Sequence, residues 1–242
     1  MARRRLRGAR NVCRVRLRHP AKACGTSPSP PPNHPIQYRT IIGWLGGGDG
    51  PAPRSGGCLT ASEGQTMRID KIPTGSNPPE DLNVIIEVPT GGEPVKYEFD
   101  KASGALFVDR ILHTPMRYPA NYGFIPHTLS PDGDPLDALV IARSPFIAGC
   151  VVRSRPIGVL NLEDEHGGDE KLICVPVDTT FPYYSDVGET KDLPSIIFQQ
   201  IEHFFTHYKD LEAEKWVRIG KWGDAAEARQ IVREAIERAA KA

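Results

Sequence analysis

Several sequence signals are scarce or missing in this chain. Its five cysteines form no CxxC pair and no dense framework, which argues against a disulfide-stapled secreted domain and favours a reducing compartment. No apolar run approaches the roughly 20 residues that a membrane-spanning helix needs. The histidines form no HExxH motif, which argues against a zinc enzyme site. We therefore predict a cytoplasmic protein without a membrane partner.

The formal net charge is zero, with 30 basic and 30 acidic residues, but the charge is unevenly distributed. Residues 1–66 hold eleven basic and two acidic residues, a net charge of +9. Residues 67–242 hold nineteen basic and twenty-eight acidic residues, a net charge of −9. An acidic domain is a poor partner for nucleic acid or an anionic membrane, because like charges repel. It suits a domain that recruits cations.

The first 66 residues differ in composition from a packed domain. They are rich in Arg, Pro and Gly and carry too little apolar surface to offset the entropy of ordering. We predict a disordered extension, or an upstream stretch included by a start assigned too early, with Met67 as the natural start. An organelle presequence and a basic arm for nucleic acid are the alternatives. Residues 67–242 are predicted to form the globular domain.

Short segments with strand patterns dominate the globular part. Residues 95–100 alternate strictly, with Lys96 and Glu98 side by side on the polar face. They follow the apolar segment 83–88 after a short Pro- and Gly-containing connection, which predicts a β-hairpin between the two segments. Further strands are predicted over 105–112, 136–142, 151–162 and 171–177. Many short strands between turns favour an antiparallel barrel or sandwich.

Helical patterns occur only near the end of the chain. Asp192 is a candidate N-cap for a helix that ends near His207, with Pro194 in its first turn. Asp224 and Glu227 form a capping-box pattern at the start of a C-terminal amphipathic helix. The apolar stripes of both helices are typical of faces that pack against a core. We therefore predict a β-barrel flanked by helices.

The stretch from Asp132 to Asp137 carries three carboxylates within six residues. Like charges held this close raise each other's pKa, and a bound divalent cation reverses that penalty. A solvated turn is the alternative, because Asp, Gly and Pro are common turn residues. An EF-hand loop is excluded, because its sixth position would be Asp137 rather than Gly and its twelfth Arg143 rather than Glu.

A second acidic cluster lies at residues 163–170, and two further carboxylates, Glu87 and Glu98, occupy strand positions. A site that joins these groups would hold several divalent cations. Such sites act on polyanionic phosphates, because the metals bridge phosphate oxygens and lower the pKa of a bound water. The remaining negative charge of the substrate needs basic side chains, and the candidates are Lys96, Arg110, Lys171 and Lys209.

From about Met67 onward the chain resembles the soluble family I inorganic pyrophosphatases of bacterial type. Residues 132–137, DGDPLD, match the signature D-[SGDN]-D-[PE]-x-D of that family. Six further matches follow in the family's order: IIE at 85–87, KYE at 96–98, FVDR at 107–110, YPANYGFIP at 118–126, DE-x3-D-x-K at 164–171 and HYKDLE at 207–212. Residues 1–66 lie outside the resemblance.

The resemblance implies a mainly β fold with α-helices, an OB-like five-stranded antiparallel β-barrel flanked by C-terminal helices, in a homohexamer. It also implies hydrolysis of pyrophosphate to two phosphates by a metal-bridged hydroxide, with several Mg²⁺ ions per site and Mn²⁺ or Zn²⁺ as substitutes. Asp134 would be the general base, and Tyr118 would either tune Asp134 or support the residues around it. The implied substrate-binding residues are Lys96, Arg110, Tyr122, Lys171, Tyr208 and Lys209. The implied metal ligands, direct or through water, are Asp132, Asp137, Asp164, Asp169, Glu87, Glu98 and Glu165.

Two other functions stay open at this point. Another metal-dependent phosphatase, or a nucleotide pyrophosphatase, would use a similar carboxylate site. An OB-like module for single-stranded nucleic acid would need aromatic side chains interleaved with a basic groove, whereas the acidic clusters here repel phosphate when no metal is bound. We therefore predict pyrophosphate and further copies of the chain as partners, and neither nucleic acid nor a membrane.

Overall fold

The computed structural model describes residues 68–165 and 167–242, so the predictions for residues 1–66 and for Met67 lie outside the described residues. Eight strands and two α-helices make up this part of the chain. They are β1 (Leu82–Val88), β2 (Val95–Asp100), β3 (Ala105–Ile111), β4 (Asn121–Phe124), β5 (Asp137–Val140), β6 (Val151–Asp164), β7 (Gly167–Pro176), α1 (Ser195–His207), β8 (Val217–Gly223) and α2 (Ala225–Lys241). Short 3₁₀ turns cover Ile69–Lys71, Pro182–Tyr184 and Thr190–Asp192.

Five strands close into a barrel in the order β1-β4-β5-β7-β6, because β6 pairs with β1 as well as with β7. β8 pairs with the later part of β6 and adds a sixth strand to the sheet. The prediction of a mainly β, OB-like barrel of five strands with helices late in the chain is confirmed. Four pairings around the barrel are antiparallel, as expected, and the β5–β7 pairing is parallel.

The predicted hairpin between the first two strands is wrong. β1 pairs with β4 on one edge and with β6 on the other, so neither edge is left for β2. The hairpin instead joins β2 to β3 across a short turn, in which Gly104 has a positive φ of 66°. Glycine adopts this left-handed conformation without the steric cost of a Cβ atom.

The two faces of β7 pack in different hydrophobic clusters. Leu172 and Cys174 are buried together with residues of α2, whereas Ile173 and Val175 are buried together with residues of α1. A strand covered on both faces reads as a continuous apolar run. Burial of each such side chain stabilises the fold by roughly 1.5–3 kcal/mol. The helices therefore hold the barrel from two sides and leave the strand ends free to carry polar groups.

One helix cap was predicted correctly and one was not. The Asp224 carboxylate accepts a hydrogen bond from the Glu227 backbone N–H at 2.8 Å at the start of α2, as predicted. α1 begins at Ser195, and the Asp192 carboxylate instead accepts from Gly188 and Glu189 within the preceding 3₁₀ turn. Within the described residues, neither helix has the length and apolar character needed to cross a membrane.

Candidate active site

One cavity, of about 390 Å³, collects the charged motifs of the sequence. All fifteen residues predicted for the site line it. They are Glu87, Lys96, Glu98, Arg110, Tyr118, Tyr122, Asp132, Asp134, Asp137, Asp164, Glu165, Asp169, Lys171, Tyr208 and Lys209. The sequence motifs are far apart along the chain, and the barrel brings them to one place. Their individual roles stay predictions, whereas their common location is a property of the fold.

The first acidic motif is a tight turn that leads into β5. Gly133 has a φ of 96°, a left-handed conformation that favours glycine, and its N–H donates to the Ser130 carbonyl at 3.1 Å. The Asp132 carboxylate accepts from the Asp134 N–H at 3.0 Å, which aligns the loop. Asp132 and Asp134 are exposed at the cavity, whereas Asp137 is the first residue of β5 and is half-buried. The motif is thus a turn that presents carboxylates to the cavity. The two interpretations of the sequence, a turn and a site for a divalent cation, are therefore compatible.

The parallel pairing of β5 and β7 sets the centre of the cavity. It places Asp137 beside Lys171 in register. The buried Lys171 ammonium contacts Asp137 Oδ2 and lies 2.6 Å from Asp169 Oδ1. Burial lowers the pKa of Lys171, but the two carboxylates outweigh it and the net pKa is raised, so the ammonium stays charged. Burial raises the pKa of Asp169, and the Lys171 charge opposes that shift.

Tyrosine hydroxyls complete this part of the wall. Tyr122 donates to Asp137 Oδ2 at 2.6 Å, and its pKa is raised well above the usual range by burial and by the Asp137 charge. Tyr118 is buried, and the centroid of its ring lies 5.2 Å from that of Tyr122 and 4.6 Å from that of Phe204. Burial raises the pKa of Tyr118 in the same way. Both phenols therefore remain hydrogen-bond donors near neutral pH.

Glu87 is a deeply buried carboxyl on the barrel side of the cavity. Its Oε1 accepts from the Phe99 N–H on β2 at 2.9 Å. Burial raises the pKa of Glu87 to about 8, with the backbone hydrogen bond opposing the shift. Lys96 contacts Glu98 on the same strand and lies 3.4 Å from Asp109 Oδ2 across the β2–β3 hairpin. Burial lowers the pKa of Lys96, but these acidic partners outweigh it and leave the pKa raised.

We expect Glu87→Gln to stabilise the metal-free protein at pH 8.5 and to change it little at pH 4. The carboxyl ionises near pH 4.5 in the unfolded chain and near pH 8 in the folded one, so the wild-type protein loses stability between these values and the amide does not. The difference amounts to roughly 3–5 kcal/mol at the upper end of that range. Denaturant unfolding in a chelator measures it, with the exposed Glu93→Gln as control. Parallel pH profiles for wild type and Glu87→Gln would contradict the expectation.

The last wall comes from the second acidic motif and the turn after α1. Lys209 lies 3.0 Å from Asp164 Oδ2 and 3.1 Å from Glu165 Oε1. Burial lowers the pKa of Lys209, but its surroundings, including the hydrogen bonds to both carboxylates, leave it raised. Tyr208 stacks on Phe204 at a centroid distance of 5.0 Å. This turn thus carries a cation and a phenol into the cavity on a backbone that continues a packed helix.

Sequence reasoning missed three further charged residues of the cavity: Lys101, Asp109 and Lys215. The β2–β3 register shifts between Lys96 and Tyr97, which leaves Asp109 as the extra residue of a β-bulge. A bulge disrupts strict alternation and re-aims side chains, and here Asp109 and its neighbour Arg110 both line the cavity. Regular alternation places adjacent residues of a strand on opposite faces. The sequence pattern of β3 therefore does not indicate that Asp109 lines the same cavity as Arg110.

The resemblance implied two roles for Tyr118, to tune Asp134 or to support the site, and the described contact of the Asp134 side chain is with another residue. Lys101, in the β2–β3 turn, lies 3.2 Å from Asp134 Oδ1. Both side chains are more than half exposed, so this ion pair contributes little to stability. Among the described contacts, Tyr118 packs with Tyr122 and Phe204 rather than with Asp134.

The residues of the cavity fit divalent cations in their chemistry. Nine carboxylates and six basic side chains line it, so its formal charge is negative. No group of three Asp, Glu, His or Cys side chains in residues 68–165 and 167–242 is arranged to hold a metal directly. Pairs of carboxylates do converge on a cationic centre, the Lys171 ammonium in one case and the Lys209 ammonium in the other. Because hard cations prefer carboxylate oxygens, these acidic pairs are suited to them once the ammonium groups move aside.

Comparisons with known proteins give a consistent result. The family model described as inorganic pyrophosphatase matches residues 84–240. The inorganic pyrophosphatase of Brucella melitensis is 61% identical over 173 residues, which is 72% of this chain and 98% of the relative. A crystal structure of an inorganic phosphatase from Anaplasma phagocytophilum is 50% identical with a TM-score of 0.69 and covers 70% of this chain and 99% of that one. The crystal structure of the inorganic pyrophosphatase of Thermus thermophilus is 41% identical with a TM-score of 0.68. The match covers 72% of this chain and 99% of that one.

Proposed function

The chain belongs to the inorganic pyrophosphatase family, and from that premise we propose that it hydrolyses pyrophosphate to two orthophosphates with the help of divalent cations. The observation that carries the proposal is the composition of the cavity that contains the predicted site residues. It combines nine carboxylates, which suit hard cations, with six basic side chains, which suit phosphate oxygens. A substrate with several negative charges and its metal ions is the partner that uses both sets.

We propose Mg²⁺ as the natural cofactor, with Mn²⁺ or Zn²⁺ as substitutes. When bound, such ions would neutralise phosphate oxygens and lower the pKa of water in the site. The residues proposed to hold them, directly or through water, are Asp132, Asp137, Asp164, Asp169, Glu165, Glu87 and Glu98. Support comes from two pairs among them: Asp137 and Asp169 converge on the Lys171 ammonium, and Asp164 and Glu165 on that of Lys209. A carboxylate pair that already stabilises one positive charge is suited to a second cation.

The basic residues and phenols are proposed to bind the substrate. Lys171 and Lys209 are buried or nearly so, and their raised pKa values keep them charged. With divalent cations held by the carboxylates, these ammonium groups would be available to bind phosphate oxygens. The proposed binding set also includes Lys96, Arg110, Tyr122 and Tyr208. Fixed positive charges of this kind stabilise the negative charge that develops on the leaving phosphate.

Asp134 is proposed as the general base. Water attacks one phosphorus atom, the bond from that phosphorus to the bridging oxygen breaks, and the second phosphate leaves with the bridging oxygen. Asp134 takes the proton of the attacking water in this step. Its exposed position on the turn and its weak partner, Lys101 at 3.2 Å, leave the carboxylate available at the cavity. Tyr118 is proposed to support the wall behind the substrate through its packing on Tyr122.

Phosphate release from several substrates tests the function. The full chain with Mg²⁺ is expected to release phosphate from pyrophosphate and far less from ATP or p-nitrophenyl phosphate. Equal or faster release from ATP would favour a general metal-dependent phosphatase. A folded, metal-loaded protein that is inactive on pyrophosphate would overturn the proposal.

We also propose a cytoplasmic homohexamer, as the resemblance to bacterial-type enzymes implies. Support for the compartment comes from the cysteines, since Cys150 and Cys174 are free thiols and burial raises the pKa of both. Sedimentation analysis checks the assembly, with an expected mass near six times the 26.6 kDa of the chain. A mass of one or two chains under the assay conditions would rule out the hexamer, and cell fractionation tests the compartment.

A further inference from the structure

Glu212 is a buried carboxylate outside the residues assigned to the site. Only 8% of the residue is exposed, yet it lies in the irregular segment between α1 and β8. Its Oε2 is 2.9 Å from the Lys215 ammonium, and its Oε1 is 3.4 Å from Arg110 Nε. Removing a carboxylate from water costs free energy unless cations pair with it. The position of Glu212 therefore depends on Arg110 and Lys215.

The contact with Arg110 joins two atoms that have no other hydrogen-bond partner in the described structure. Arg110 Nε and Glu212 Oε1 are both buried, and neither makes a hydrogen bond of good geometry. They face each other at 3.4 Å, just beyond an ordinary hydrogen bond. Buried polar groups are nearly always satisfied, so each of these two atoms has the other as its natural partner.

Backbone hydrogen bonds connect Glu212 to the turn that carries Tyr208 and Lys209, which also line the cavity. Its N–H donates to the Lys209 carbonyl at 2.8 Å, and the Tyr208 carbonyl accepts from the Thr114 hydroxyl at 3.3 Å. The turn that carries Tyr208 and Lys209 is thereby held close to the end of β3. Glu212 connects this turn to Arg110, which lies on β3 and lines the cavity.

We propose that Glu212 is a positioning residue that holds the Arg110 guanidinium and the Lys215 ammonium toward the substrate. The proposal rests on the proposed function of the cavity. By engaging the Nε edge, the Glu212 carboxylate leaves the two terminal nitrogens of Arg110 for the cavity, where Nη1 is 3.6 Å from Asp109 Oδ2. Its negative charge also offsets the repulsion between the two cations, which a neutral side chain of the same shape does not do.

The test compares Glu212→Gln with wild type in the full chain. We expect the KM for pyrophosphate to rise about tenfold, since Arg110 and Lys215 lose the negative charge that lies between them, while kcat changes less than about threefold. Inorganic phosphate, titrated by calorimetry, is expected to bind about tenfold more weakly. The matched control is Glu93→Gln, which removes an exposed carboxylate 3.2 Å from Arg117 and is expected to leave all three values unchanged.

A double-mutant cycle with Arg110→Lys separates positioning from a purely structural role. If Glu212 acts through Arg110, the double variant has nearly the same KM as Arg110→Lys alone, because the effects of coupled residues do not add. Fully additive effects, or an unchanged KM and phosphate affinity in a folded Glu212→Gln, would overturn the inference. Should Glu212→Gln fail to fold, Glu212→Asp takes its place in the same cycle, and the same outcomes for KM and phosphate affinity support or overturn the inference. Wild type without turnover counts against the proposed function, whereas the calorimetric titration still decides the role of Glu212.

Discussion

A chelator that removes divalent cations should reduce pyrophosphate hydrolysis at least roughly a thousandfold, since metal ions contribute several kcal/mol of charge stabilisation to such reactions. The structure supplies the reason. Nine carboxylates line the cavity, and its basic side chains are engaged with carboxylates, as Lys171 is with Asp137 and Asp169. Without metal ions the substrate meets carboxylates that repel it and ammonium groups that are already paired.

Added Mg²⁺ should restore the rate, and Mn²⁺ should restore part of it. Thermal unfolding in the chelator is the control, because it separates loss of the metal from loss of the fold. The ion pairs between lysines and carboxylates give the metal-free site internal charge compensation, so we expect the fold to persist. Full turnover after exhaustive chelation, with no metal in the protein by elemental analysis, would exclude metal-dependent catalysis at this site.

Asp134→Asn should lower kcat by about 10²–10⁴ while KM and the melting temperature change little, since that is the usual contribution of a general base. The amide keeps the shape of the side chain and can still accept a hydrogen bond, but it cannot take up a proton. The fold has little need of the carboxylate, because 79% of the side chain is exposed and its described partner is the exposed Lys101.

Asp70→Asn is a suitable control for this variant. Asp70 is also an exposed carboxylate in an ion pair, 2.8 Å from Arg68, but it does not line the cavity. Its rate should match that of wild type. A rate of Asp134→Asn within about threefold of wild type would assign the proton transfer to another group. A parallel loss of phosphate affinity in that variant would instead point to a role in binding.

Sequence patterns predicted elements well where the local signal was strong. The strict alternation of residues 95–100 gave the observed bounds of β2, and Asp224 caps α2 as its position predicted. Predictions were weaker where the outcome depends on partners elsewhere in the chain. β8 was missed, because its mixed residues become a strand only by pairing with β6. Asp192 is of a residue type that often caps helices. Its carboxylate instead accepts hydrogen bonds from the Gly188 and Glu189 N–H groups at the start of a 3₁₀ turn.

The candidate site shows the same division. Motif matches identified fifteen residues that the fold brings to one cavity, because residue types suited to metal and phosphate chemistry can be read directly from the chain. The contribution of Asp109 could not be read in this way. It depends on a bulge in the pairing of β2 with β3, and strand pairing is a property of two segments together.

The amino-acid sequence by itself determined which groups this protein has for its chemistry: two acidic clusters, a set of basic residues and phenols, and strands with the right periodicity to carry them. Only the tertiary structure decided which of these groups meet. The parallel pairing of β5 with β7 puts Lys171 between Asp137 and Asp169, and the turn after α1 puts Lys209 on Asp164 and Glu165. Local sequence sets the chemistry and conformation of a segment, but distances between segments follow from strand register and core packing, which involve the whole chain at once.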